Sequence, residues 1–143
     1  MHKASELFPA SCDQPHQLPP LTLAFLGDAV YELYVRTNLM NETVNAHTLN
    51  RECVHFVNNR TQSALYDLIE NALSDEEQGV LKRGRNAKGI VPKNAQMVDY
   101  RKATAVEALV GYWYLLDDTE RLDWAFAQLK AAAKVAAEMR KKS

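Results

Sequence analysis

Two acids, Asp28 and Glu107, are the residues of this chain best placed to do chemistry. Asp28 falls in the middle of the mostly apolar stretch Leu21 to Val35, LTLAFLGDAVYELYV. Glu107 is the only charged residue in Ala103 to Leu116, ATAVEALVGYWYLL, where eleven of fourteen residues are hydrophobic. A carboxylate in apolar surroundings costs several kcal/mol unless a cation meets it. Two such acids on neighbouring elements could hold a divalent metal between them, because hard cations prefer oxygen ligands. The other reading is a pair of structural salt bridges, with Arg36 or Arg101 as partners.

The elements that must carry these acids read as helices. Leu23, Leu26, Val30 and Leu33, flanked by Phe25, Ala29 and Tyr34, follow helical spacing and not strand alternation. Residues 1 to 20 read as an irregular leader ending in Pro19-Pro20, after which helix can begin. Ala46, Leu49, Cys53 and Phe56 or Val57 predict a second amphipathic helix, and Ala64, Leu65, Leu68, Ile69 and Ala72 a third. Ser74-Asp75-Glu76-Glu77 is a capping-box signal opening a short helix through Val80 and Leu81. Gly84, Gly89 and Pro92 then predict a basic loop, with helix resuming near Gln96. Asp117-Asp118-Thr119 offers an N-cap for a last helix carrying Leu122, Ala125, Phe126, Leu129 and Ala133 on one face. The expected architecture is all-α, one domain of about six helices over residues 21–143.

Composition sets the outer bounds. At 143 residues, 47% hydrophobic and 24% charged, the chain fits one ordinary globular domain. No apolar run reaches the roughly 18 residues that a bilayer span requires. The first residues have neither a signal core nor an Arg-rich transit composition, so cytoplasmic residence is expected. Cys12 and Cys53 form no disulfide framework, and His2, His16, His47 and His55 show no metal-ligand spacing. Net charge is −1, yet Lys82 to Lys102 holds seven basic residues and one acid. The rest of the chain has ten basic and seventeen acidic residues, so that segment is a local electrostatic footprint on an acidic body.

Phe25-Leu26-Gly27-Asp28 resembles the first signature of the ribonuclease III family, Glu-x-x-Glu-Phe-Leu-Gly-Asp, and Glu107-Ala108-Leu109-Val110-Gly111 resembles its second, Asp-x-x-Glu-Ala-Leu-Ile-Gly. With KRGRNAK at 82–88, Pro92-Lys93-Asn94 and Tyr100-Arg101, the pattern is similar to the small branch called Mini-ribonuclease III. The resemblance implies a homodimeric, Mg²⁺-dependent endoribonuclease that hydrolyses double-stranded RNA to 5′-phosphate and 3′-hydroxyl ends, with Asp28 and Glu107 as catalytic metal ligands. It also implies maturation of precursor 23S ribosomal RNA, on a pre-ribosomal particle. Lys82, Arg83, Arg85, Lys88, Lys93 and Arg101 would meet phosphates, and Asn86 and Asn94 sugar or phosphate. Glu32, one turn after Asp28, would join the metal site directly or through water, or else pair with Arg36.

Two positions depart from the family pattern. Ala24 and Thr104 stand where its motifs carry further acids, which places a second tightly held metal in doubt. Only 27 residues follow Leu116, and they read as one Ala-rich helix, so no double-stranded-RNA-binding domain is expected after the catalytic one. The rival reading is a non-catalytic RNA-binding or ribosome-assembly protein that keeps this fold.

Overall fold

The computed structural model describes residues 14–89, Lys93 and residues 96–142; the greater part of the 1–20 leader and Asn94 lie outside the described residues. The described residues form seven α-helices and two 3-10 turns, at Pro15–Gln17 and Glu70–Ala72, with no strand among them. They are α1 (Pro20–Leu39), α2 (Ala46–Cys53), α3 (Asn59–Ile69), α4 (Asp75–Asn86), α5 (Met97–Leu115), α6 (Thr119–Phe126) and α7 (Leu129–Lys142). The last helix expected from sequence is thus two, divided at Ala127-Gln128, where the backbone tightens into a Gln128 N–H to Ala125 carbonyl bond of 3.1 Å. None of the described helices is long and apolar enough to cross a membrane.

Each start has a local cause. Pro20 at the first turn of α1 loses no intrahelical bond. Asn45, Asn58 and Asp118 cap α2, α3 and α6 by accepting from the N–H groups of Thr48, Thr61 and Arg121. Ser74 and Glu77 close the predicted capping box of α4.

α5 is the central element. From Ala103 on it is apolar on nearly every side, and such a helix is stable only when neighbours surround it. It packs on α1, α3 and α4, burying Ala105, Val106, Ala108, Leu109, Val110 and Trp113. At the crossing of α1 and α5 the backbones touch. A Cβ added to Gly27 would overlap the Glu107 carbonyl, and one added to Gly111 would overlap the Leu23 carbonyl. No other residue type fits either position, so the two motif glycines set the distance between the helices that carry Asp28 and Glu107.

The basic segment differs from expectation. Lys82 to Asn86 are the last turn and a half of α4, not loop. Gly84 lies inside that helix, and its missing side chain lets α4 seat on α5: an added Cβ would come within 2.8 Å of Ala105 Cα. Cations at a helix C-terminus are also favoured by the helix dipole. Tyr31 is fully buried and donates to the Phe56 carbonyl at 2.6 Å. Tyr34 stacks on Phe126 at 4.6 Å.

Glu77 ties α4 to the far end of the fold. Its carboxylate receives both Arg121 nitrogens at 2.8 Å and Trp113 Nε1 at 2.6 Å, and it is 7% exposed. Burial alone would raise its pKa, but these donors and the Ser74 N–H hold it below the usual carboxylate range. Glu77→Gln should lower stability by about 3 kcal/mol, because Arg121 then keeps its charge with no anionic partner. Thermal unfolding at neutral pH should report this as a midpoint about 10 °C lower.

Candidate active site

Helix geometry brings the two acids together. Asp28 follows Gly27 on α1 and Glu107 lies on α5 at the same crossing, so the backbone contact sets their side chains within hydrogen-bond reach. Asp28 is exposed and Glu107 is largely buried. Burial, then a hydrogen bond from protonated Glu107 to Asp28 and repulsion from its charge, raise the Glu107 pKa to about 8. The Gln62 amide, on α3, acts in the opposite direction.

The salt-bridge reading has no support among the described residues: no Lys, Arg or His pairs with either acid. Arg36 instead binds Glu32 at 3.1 Å along α1, and Arg101 is exposed. Glu32 is therefore engaged as a helix-surface ion pair of the i, i+4 kind. Ala24 and Thr104 are buried, and the Thr104 hydroxyl donates to the Tyr100 carbonyl at 3.0 Å, so neither adds an acid to the pair. No cluster of three or more His, Cys, Asp or Glu occurs among the described residues. Two carboxylate oxygen donors with an open, solvated side suit Mg²⁺, which keeps several of its waters. They suit zinc poorly, since that ion takes nitrogen or sulfur ligands in a closed tetrahedron.

A linkage follows from the shared proton. Glu107 has a raised folded pKa, so the folded protein holds a proton that the unfolded chain releases above about 4.5. Stability of the metal-free protein should therefore fall as pH rises between about 4.5 and 8, by up to about 5 kcal/mol. Melting in EDTA at pH 5.5 and at pH 8 measures this, and Glu107→Gln should flatten the difference.

The cations fall into two groups. Lys82, Arg85 and Asn86 share positions i, i+3 and i+4 on α4 and are exposed, as are Lys88 and Lys93 beyond it. Arg85 donates to the Tyr66 hydroxyl at 3.3 Å. Arg83 turns elsewhere, donating to the His16 carbonyl at 2.5 Å. Lys102, absent from the sequence-derived set, lies 5.3 Å over the Tyr66 ring and binds Asp67 at 2.7 Å. Tyr66 is one helical turn along α3 from Gln62, so Arg85 and Lys102 approach the carboxylate pair along that helix.

Sequence reasoning also missed Gln62. It is 5% exposed, and its Nε2 is the one buried side-chain nitrogen or oxygen without a hydrogen-bond partner among the described residues. The signal was present: Gln62 stands in register with Leu65 and Ile69, a polar residue at a core position of α3.

Comparison with known proteins completes the description. The family model described as Ribonuclease III domain matches residues 21–118. The chain is 50% identical over 116 residues to the Mini-ribonuclease 3 of Desulfitobacterium hafniense, covering 79% of this chain and 73% of that one. It is 46% identical over 110 residues to the Mini-ribonuclease 3 of Symbiobacterium thermophilum, covering 76% and 85%. A crystal structure of a Fusobacterium nucleatum protein superposes with a TM-score of 0.73 at 35% identity, covering 78% of this chain and 92% of that one.

Proposed function

This chain belongs to the ribonuclease III family and is an endoribonuclease, and from that premise we propose that it cuts double-stranded RNA by Mg²⁺-dependent hydrolysis at Asp28 and Glu107. The observation that carries the reading is the convergence of two carboxylates, paired with no cation among the described residues, where α1 and α5 touch. In the reaction, water oxygen attacks phosphorus, the bond from phosphorus to the 3′ oxygen breaks, and the products end in 5′-phosphate and 3′-hydroxyl. Mg²⁺ bound there would supply charge stabilisation and a more acidic water.

The chain's own part is orientation and charge. Asp28 presents its carboxylate to solvent and substrate, while Glu107 is recessed behind it and must release its shared proton before both acids serve as anionic donors. Lys82, Arg83, Arg85, Lys88, Lys93 and Arg101 would neutralise phosphates, with Asn86 and Asn94 bonding sugar or phosphate. Recognition of this kind reads the shape of A-form RNA across its shallow groove, more than its sequence.

The substrate we assign is precursor 23S ribosomal RNA, on a pre-ribosomal particle in the cytoplasm, and the working form is a homodimer. Support for the dimer comes from an exposed apolar stripe on α1. Leu21, Phe25, Ala29 and Leu33 recur every fourth residue, and Phe25 is 84% exposed. Water-facing aromatics of this size mark interaction surfaces. A two-fold axis there would bring two copies of the adjacent Asp28 site to the two antiparallel strands of a duplex. Phe25→Glu should raise the dimer dissociation constant at least ~100-fold, read by sedimentation across a dilution series.

The test of the whole reading is an end-labelled RNA duplex and a precursor ribosomal RNA, each incubated with purified protein in Mg²⁺ or EDTA. Cleavage of both strands in Mg²⁺ alone is the expected result. Binding with steep salt dependence, without cleavage of either substrate, would instead establish the assembly-factor reading, to which the small residues Ala24 and Thr104 lend weight.

A further inference from the structure

We propose that Gln62 is a positioning residue for the metal site, its side-chain amide donating to the Glu107 carboxylate and holding that acid in its ligand orientation. This rests on the metal-dependent reading above.

Three observations carry it. The first is burial without a partner: Gln62 is 5% exposed and its Nε2 has no hydrogen bond. A buried unpaired amide is a standing cost to the fold, and it is recovered only when an acceptor arrives. The second is place. Gln62 is on the face of α3 that also buries Leu65, Tyr66 and Ile69, and α3 packs directly on α5. Its side chain interacts with the Glu107 carboxyl carried by that helix. The third is the anchoring of its own helix end. Asn58 caps α3 through the Thr61 N–H at 2.8 Å, and the Thr61 hydroxyl donates to the His55 carbonyl at 2.8 Å. The residue next to Gln62 is therefore fixed twice, which leaves the amide little freedom to turn away.

The physical logic is acceptor strength. A carboxylate that holds a metal is an anion, and hydrogen bonds to an ionised acceptor are shorter and roughly twice as strong as neutral ones. One carboxylate oxygen would then face the ion and the other would accept from Gln62. Such outer partners of a ligand typically cost 10–100-fold in metal affinity when removed.

The test is Gln62→Met, which keeps length and unbranched shape and removes the donor. Mn²⁺ binding to the full-length protein, followed by the electron paramagnetic resonance of the free ion, gives affinity independent of cleavage. The expected result is a dissociation constant raised at least 10-fold, with a metal-free melting temperature at or above that of wild type. A packing role alone predicts the opposite pair, unchanged affinity and a lower melting temperature, and would overturn the proposal. Should the Met variant not fold, Gln62→Asn keeps the amide but withdraws it by one methylene. Weakened Mn²⁺ binding in that variant supports the proposal, and wild-type binding overturns it. Wild-type protein that binds no Mn²⁺ overturns this proposal together with the metal-dependent reading. Wild-type protein that binds Mn²⁺ tightly without cutting RNA removes the nuclease reading alone.

Discussion

Asp28→Asn and Glu107→Gln should each reduce duplex RNA cleavage in Mg²⁺ by about 10³-fold or more, equivalent to ~4 kcal/mol of transition-state stabilisation. Both substitutions keep shape and replace an anionic oxygen donor with a neutral amide, so they remove metal holding and little else. Binding of RNA in EDTA should survive, since the cations we propose for phosphate are on α4 and beyond it. Stability separates this from a structural role. A salt bridge broken on one side leaves a buried charge and lowers the melting temperature. Here two acids repel each other across a shared proton, so either amide should hold or raise the metal-free melting temperature. Loss of cleavage together with loss of fold would contradict the assignment.

Gly27→Ala should be the most damaging single-methyl change in the chain. The new Cβ has no free volume, because it would overlap a backbone carbonyl that cannot rotate away. α1 and α5 would have to separate along their whole contact, costing about 3 kcal/mol or more. Gly79→Ala is the internal control. It too lies inside a helix, but its Cβ would meet only the far end of the Arg83 side chain at 3.3 Å. There the gain of helix propensity should dominate, a stabilisation of up to ~1 kcal/mol. Denaturant melts of the two variants measure both effects. Equal melts would mean that the helix crossing tolerates expansion, and would remove the structural reason given for the motif glycines.

What could be seen in the sequence follows from how far apart the interacting residues are. The helices, their caps and the two acids were legible because helical periodicity and capping are local, and because a carboxylate in an apolar run is conspicuous. Lys82 to Asn86, the first part of the basic segment, were misread as loop since Gly84 looks like a breaker until Ala105, twenty-one residues away, appears against it. Glu77 was visible as half of a capping box, whereas its bonds to Trp113 and Arg121 span 36 and 44 residues. Tyr34 stacks on Phe126, ninety-two residues away, which nothing local to either residue announces. Gln62 lay in core register and was passed over because what it faces, the Glu107 helix, is forty-five residues away in sequence. Polarity in a core stripe is a signal that can be read, provided one asks what such a residue would face.

The touching backbones of α1 and α5 have a last consequence, for the order in which the molecule comes apart. Loops and termini open with little free energy, while tightly packed central helices open only with the whole molecule. The carboxylate pair is borne by the two helices in closest contact, one of them the central element of the core. It belongs to the last cooperative unit to be lost. Frayed ends and loosened α6 or α7 segments leave that pair intact, so catalytic capacity and global fold should vanish in one step on heating.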